Sequence, residues 1–214
     1  MTDKKENKRR IKTPPFRLSF PVLLEPKAGN MGGAPKYSMT MLFPPGFDRR
    51  PFDAAFKEAM IEKYGADTGK WPRLKRKPND VLRSFEEYNA EANKPLEGDW
   101  KGWTMARANA SEKYPPGVVG PTKGSNGKFP VVTDGREIYG GRWAKAVLEA
   151  YVYDRQDGKG VTLGISNVQL LKHDGKFGGA VTAPEDDFDD ASPEWAGEAD
   201  AFDNGAAPAE DAGW

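Results

Sequence analysis

Cysteine is absent from the 214 residues, which excludes disulfides and thiolate chemistry and fits a reducing compartment. Histidine occurs once, at His173, in a turn with no nucleophile at motif spacing, so it reads as a surface residue. Neither a zinc cluster nor a Walker-type loop is written in the chain. The glycines around Gly29 and Gly33 lack the strand-to-helix setting that a phosphate loop needs. Asp186-Asp187 and Asp189-Asp190 lie in a stretch expected to be disordered, where carboxylates have no fixed geometry for a divalent metal. The sequence therefore reads as non-enzymatic, without cofactor or metal. Apolar residues are also scarce, at 37 %. No apolar run is long enough for a helical membrane span, and the basic N-terminus lacks the apolar core of a secretory signal. A cytoplasmic protein is expected.

What is plentiful is glycine, proline and charge, with 24 Gly and 18 Pro pointing to many turns and some disorder. Aromatics make up 11 % and supply large buried areas for one core. The formal charge of zero hides an asymmetry. Residues 183–214 hold eleven acidic side chains and no Lys or Arg, which leaves 32 basic against 21 acidic residues in 1–182. A cationic body joined to an anionic tail points to a polyanionic partner for the body.

Three segments follow. Residues 1–12, with Lys4, Lys5, Lys8, Arg9, Arg10 and Lys12, read as a basic disordered arm offering solubility or extra phosphate contact. Residues 13–182 read as the folded domain, and 183–214 as an acidic disordered tail ending in Trp214. Within the domain, residues 36–43 alternate strictly as a strand should. Residues 51–64 are the best helix: Phe52, Ala55, Phe56, Ala59, Met60 and Tyr64 share one stripe, with Asp48 near its start and Gly65 at its end. Residues 69–83 carry six cations around Trp71 with no regular period, a surface loop or ragged strand.

The centre of the chain is residues 138–171, two apolar runs joined by a Gly-rich polar loop, which predicts a β-hairpin. A helix over 142–150 is the rival, favoured by its Ala, Leu, Lys and Glu. The Tyr-Val-Tyr ending and Gly-Gly entry favour the strand. As a strand, Ala144, Ala146, Leu148, Ala150 and Val152 face inward. Trp143, Lys145, Val147, Glu149, Tyr151 and Tyr153 share the wet face. A basic, ring-bearing outer face suits unpaired nucleic acid, because bases stack on rings and phosphates meet cations.

The order and spacing of several pieces carry a family resemblance. They are Phe16-Arg17-Leu18-Ser19-Phe20-Pro21, the strand 36–43, Asn109-Ala110-Ser111-Glu112-Lys113 before Pro115-Pro116-Gly117-Val118-Val119, Tyr139-Gly140-Gly141-Arg142, and residues 159–169. Over residues 13–180 the chain resembles the phage-encoded single-stranded DNA-binding proteins once filed as a domain of unknown function. The resemblance implies a mainly β OB-fold, a five-stranded antiparallel barrel with one packing helix, loop insertions and disordered termini. It implies sequence-independent binding of single-stranded DNA in phage replication or recombination, in the cytoplasm of the infected bacterial host. It also implies that the acidic tail recruits replication or recombination proteins, with Asp211 and Trp214 as the partner-binding residues. A single-strand annealing recombinase, or a structural phage protein with an acidic partner, is the alternative.

No family motif fixes the DNA contacts, so they are chosen as aromatics beside cations. The stacking candidates are Tyr37, Trp71, Trp100, Trp103, Tyr139 and Trp143. The phosphate candidates are Lys36, Arg73, Lys75, Arg76, Lys101, Arg107, Arg142 and Lys145. Burial in the core is the competing account for every ring.

Overall fold

The computed structural model describes residues 7–29, 32–156 and 158–177. Its strands are β1 (Arg10–Lys12), β2 (Phe16–Lys27), β3 (Lys36–Phe43), β4 (Leu82–Ser84), β5 (Thr104–Ser111), β6 (Gly117–Val119), β7 (Trp143–Arg155) and β8 (Gly158–Leu170). The helices are α1 (Arg50–Tyr64), α2 (Pro78–Val81) and α3 (Phe85–Ala90). Five strands close on themselves in the order β2, β3, β5, β8, β7 and back to β2. Every junction is antiparallel except β5 with β8, which is parallel. This ring is an OB-fold barrel. β2 serves two neighbours by bending: its register against β3 shifts between Ser19 and Val22, and Phe20 there has φ +46°.

The barrel interior follows from alternation. Ala144, Ala146, Leu148 and Ala150 of β7 are buried together with Val161, Leu163, Ile165 and Val168 of β8. The pairing of Ala144 with Leu170 through Arg155 with Gly158 makes one long hairpin, so the strand reading of 142–150 holds and the helix reading does not. α1 closes one side with Phe52, Ala55, Phe56, Ala59 and Met60 buried, packed against β7 and β1. Its end is set by Gly65 at φ +85°, whose N–H donates to the Ile61 carbonyl at 2.8 Å. Burying Phe52 and Phe56 alone stabilises the fold by about 1.5–3 kcal/mol each.

The basic arm differs from expectation. Arg10–Lys12 is a strand paired with Val147–Glu149 of β7, and Ile11 is buried in the core. One apolar residue between two cations suffices there, because β7 offers a free edge and α1 a lid. Residues 1–6 and the tail 183–214 lie outside the described residues.

A second, smaller core sits on the outside of the barrel. Leu42 of β3 and Met105 of β5 point outward, and Phe85 and Trp100 bury them. The insertion containing β4 and α3 thus covers one half of the outer β3–β5 surface and leaves the other half open.

Candidate nucleic-acid interface

The open half is a groove of about 420 Å³ lined by Lys36, Asn109, Ser111, Tyr151, Tyr153 and Thr162 with Arg76 and Arg155 at its rim. Strand parity places each wall. On β7, Tyr151 pairs with Thr162 and Tyr153 with Gly160, all on the outer side. On β5, Asn109 lies beside Gly164, and Ser111 lies opposite Lys36 of β3.

Gly160 lets the Tyr153 ring lie down on β8, and Tyr151 packs over Gly164. A Cβ on Gly160 would stand 2.5 Å from Tyr153 Oη, 2.7 Å from its Cζ and 2.9 Å from Arg76 Cβ. A Cβ on Gly164 would stand 3.4 Å from Tyr151 Cε1. Tyr151 remains 38 % exposed, and the Arg155 guanidinium lies 5.4 Å from the Tyr153 ring centre. Flat, supported rings beside cations form a platform with little freedom left to lose on binding.

The rim is pinned by backbone. Lys75 N–H donates to the Lys159 carbonyl at 2.8 Å, and Val161 N–H to the Arg76 carbonyl at 3.1 Å. This stitches residues 75–76 to the start of β8 and aims Arg76 over the groove. At the hairpin end, Lys159 pairs with Asp154 at 3.0 Å and holds the Asp154 carboxyl below its ordinary range, chiefly by that hydrogen bond. Tyr64 hydrogen-bonds the same carboxylate; burial, and then the charge of Asp154, raise its phenol above the usual value. Lys36, Arg76 and Arg155 have no ion pair with any described residue.

The candidates named from sequence separate into three places. Lys36 and Arg76 line the groove. Arg73 and Lys75 line an adjoining notch with Lys77. Tyr37, next to Lys36, is a correction: it points inward and is 7 % exposed, because β3 alternates and its odd positions fill the barrel. Trp71 is half-buried against the core, its indole N–H donating to the Gly65 carbonyl at 2.8 Å.

Trp100, Trp103 and Lys101 belong to the covered half. Trp100 is a second correction, being 7 % exposed and edge-on to Phe85, Trp103 and Phe177 at 4.9, 5.1 and 5.4 Å. It is the lid over Leu42 and Met105. Trp103 is half-buried beside it, while Lys101 is exposed on the turn between them. Arg107 faces outward on β5 at the boundary, over the Tyr88 ring at 5.2 Å and hydrogen-bonded to its hydroxyl.

The third place is the start of β7. Arg142 is the last correction: at 3 % exposed, it ion-pairs with Glu137 and donates to the carbonyls of Glu137 and Leu171. A buried guanidinium with those partners ties two chain segments together and offers nothing to a phosphate. Trp143 donates its indole N–H to Asp174 at 2.7 Å, and Tyr139 hydrogen-bonds His173 at 2.9 Å while stacking on it. Lys145 is exposed on the outer face of β7. Asp211 and Trp214 lie outside the described residues.

Sequence reasoning put Tyr151 and Tyr153 on the wet face of the strand without choosing them as stacking residues, and it passed over Arg155. The signal was present in the outward parity of Tyr151 and Tyr153 together with Gly160 and Gly164 on the partner strand. Among the described residues, no group of His, Asp and Glu converges as a metal site, and no helix is long and apolar enough to cross a membrane.

A family model described as the ssDNA-binding protein of Enterobacter phage Enc34 matches residues 9–201. The chain belongs to that family. A curated relative, protein p50 of Acyrthosiphon pisum secondary endosymbiont phage 1, is 30 % identical over 194 residues, spanning 86 % of this chain and 94 % of its own. The single-stranded DNA-binding protein of bacteriophage Enc34, solved in complex with ssDNA, superposes with TM-score 0.59 at 22 % identity, covering 79 % of this chain and 90 % of that one. The single-stranded DNA-binding protein gp2.5 of bacteriophage T7 superposes with TM-score 0.50 at 17 % identity, covering 86 % and 96 %. At those identities the two structures speak for the barrel and not for individual contacts. In this member of the Enc34 family, Tyr151 and Tyr153 of β7 pack over Gly164 and Gly160 of β8.

Proposed function

We propose that this member of the Enc34 family binds single-stranded DNA across the outer groove of β3, β5, β8 and β7, with little sequence preference. The observation that carries the reading is the pair of rings, Tyr151 and Tyr153, laid on glycine and flanked by the cations Lys36, Arg76 and Arg155. Every base has a face to stack, so such a platform binds without reading base edges, at about 1–3 kcal/mol per base. The cations make binding steeply salt-dependent through counterion release. Membership of a family described by a phage ssDNA-binding protein supports the same reading, as does the position of the groove on the strands and flanking loops that OB-folds use for oligonucleotides.

We extend the proposal to the acidic segment 183–214. It competes with DNA for the cationic groove and recruits replication or recombination proteins through Asp211 and Trp214, in the infected host. Titration of labelled dT oligonucleotides at two salt concentrations tests the groove. Tyr151→Ala and Tyr153→Ala should each weaken binding about tenfold. Removing 183–214 should tighten DNA binding and abolish capture of replication proteins. Absence of any shift at moderate salt would instead favour a basic body that meets an acidic protein.

A further inference from the structure

The wet face of β7 does not stop at Tyr151. Past Glu149, which Arg9 neutralises at 2.7 Å, the same side carries Val147 and Lys145, paired with Asn167 and Gln169 of β8. β1 widens this surface on one edge, with Arg10 and Lys12 exposed and Ile11 turned inward. β6 widens it on the other, parallel to β8 from Gly117–Asn167 to Val119–Gln169. Gly117 allows the approach, since a Cβ there would stand 2.7 Å from Asn167 Oδ1.

The result is a cleft of about 250 Å³ lined by Val119, Val147 and Asn167 and edged by Lys12, Lys145 and Phe129. Phe129 is 38 % exposed, and the Lys123 ammonium lies 5.7 Å from its ring centre. Arg10, Lys12 and Lys145 have no ion pair with any described residue. A soft floor, an open ring and unopposed cations repeat the chemistry of the groove. Lys145 lies six residues from Tyr151, about 20 Å along the strand.

We propose that this second cleft, built by β1, β7, β8 and the 117–132 hairpin, extends the binding surface for the same single strand, with Phe129 stacking a base and Lys12 and Lys145 holding phosphates. The inference rests on the groove reading. Its consequence is a footprint in two parts, of which short oligonucleotides fill only the groove and longer ones fill both. An acidic, aromatic peptide is the competing occupant.

The test is fluorescence-anisotropy titration of the full chain with dT oligonucleotides of about 6 and about 20 nucleotides, sizes that bracket one and two subsites on an OB-fold. Phe129→Ala combined with Lys12→Glu should leave the short oligonucleotide bound as before. It should weaken the long one at least tenfold and flatten its salt dependence by roughly one phosphate contact. Thermal melting verifies that the variant is folded. Unchanged binding at both lengths overturns the extension, and loss of an acidic aromatic peptide alone would assign the cleft to that partner. Equal weakening at both lengths also overturns it, because the two surfaces would then be one site. If the unaltered chain binds neither oligonucleotide, the groove reading falls first and takes the extension with it.

Discussion

The phenol of Tyr153 crosses Gly160 so closely that a methyl group there would come within 2.5 Å of the hydroxyl oxygen. Glycine on β8 is thus the seat of an aromatic on β7. Gly160→Ala should lift the ring and push on Arg76. We expect a fivefold or greater loss of DNA affinity with a destabilisation of about 1–3 kcal/mol from overpacking. In a Tyr153→Ala background the same change should cost much less, since the ring it collides with is gone. A double-mutant cycle reads the coupling; additive losses would show that the glycine does not seat the ring.

Rings on the two halves of the outer surface should behave oppositely. Trp100→Ala empties the lid over Leu42 and Met105 and should cost about 3–5 kcal/mol of stability. The folded fraction should then bind DNA as before. Tyr151→Ala should do the reverse, costing about 1–3 kcal/mol of binding with little change in melting temperature. Denaturation and DNA titration on both variants separate the two roles.

Much of this fold is legible in residue order. The stripe of 51–64 becomes α1, and the alternation of 143–152 becomes the inner and outer sides of β7, because both periods are local. The parts that were not legible depend on what distant segments cover. Trp100 reads as an exposed ring between Asp99 and Lys101 until Phe85 of α3 and Phe177 close over it. Arg142 reads as a surface cation until Glu137 and the Leu171 carbonyl surround it. Ile11 is one apolar residue in a basic run, and only the free edge of β7 turns it into a strand. The groove itself joins β3, β5, β7 and β8, which come together only in the closed barrel.

Arg142 should therefore matter to folding and not to binding. Arg142→Ala leaves the carbonyls of Glu137 and Leu171 without their donor and should destabilise by about 1.5–3 kcal/mol. DNA affinity of the folded protein should stay within twofold. A large affinity loss at unchanged stability would return Arg142 to the phosphate contacts.

Acid should loosen the start of β7. Asp174 is held below its ordinary value of 3.8, first by the Trp143 indole N–H and then by the Gly175 N–H, with the Arg17 and Lys172 charges assisting. A depressed carboxyl contributes stability that is fully present above that ordinary value and is lost as pH falls through the lower folded value. The Trp143 emission should therefore shift only in that acid window. Asp174→Asn should abolish the carboxylate's acid transition and lower stability at neutral pH. An emission change centred well above 3.8 would point to another group.

The groove's chemistry is tested most directly by DNA affinity measured across salt for the chain and its Tyr151→Ala/Tyr153→Ala variant. A stacking platform framed by cations predicts that the variant loses about a hundredfold or more in affinity for dT oligonucleotides while keeping the same salt slope, because the rings go and Lys36, Arg76 and Arg155 remain. Undiminished affinity in the folded variant would contradict it and place the DNA elsewhere on the barrel.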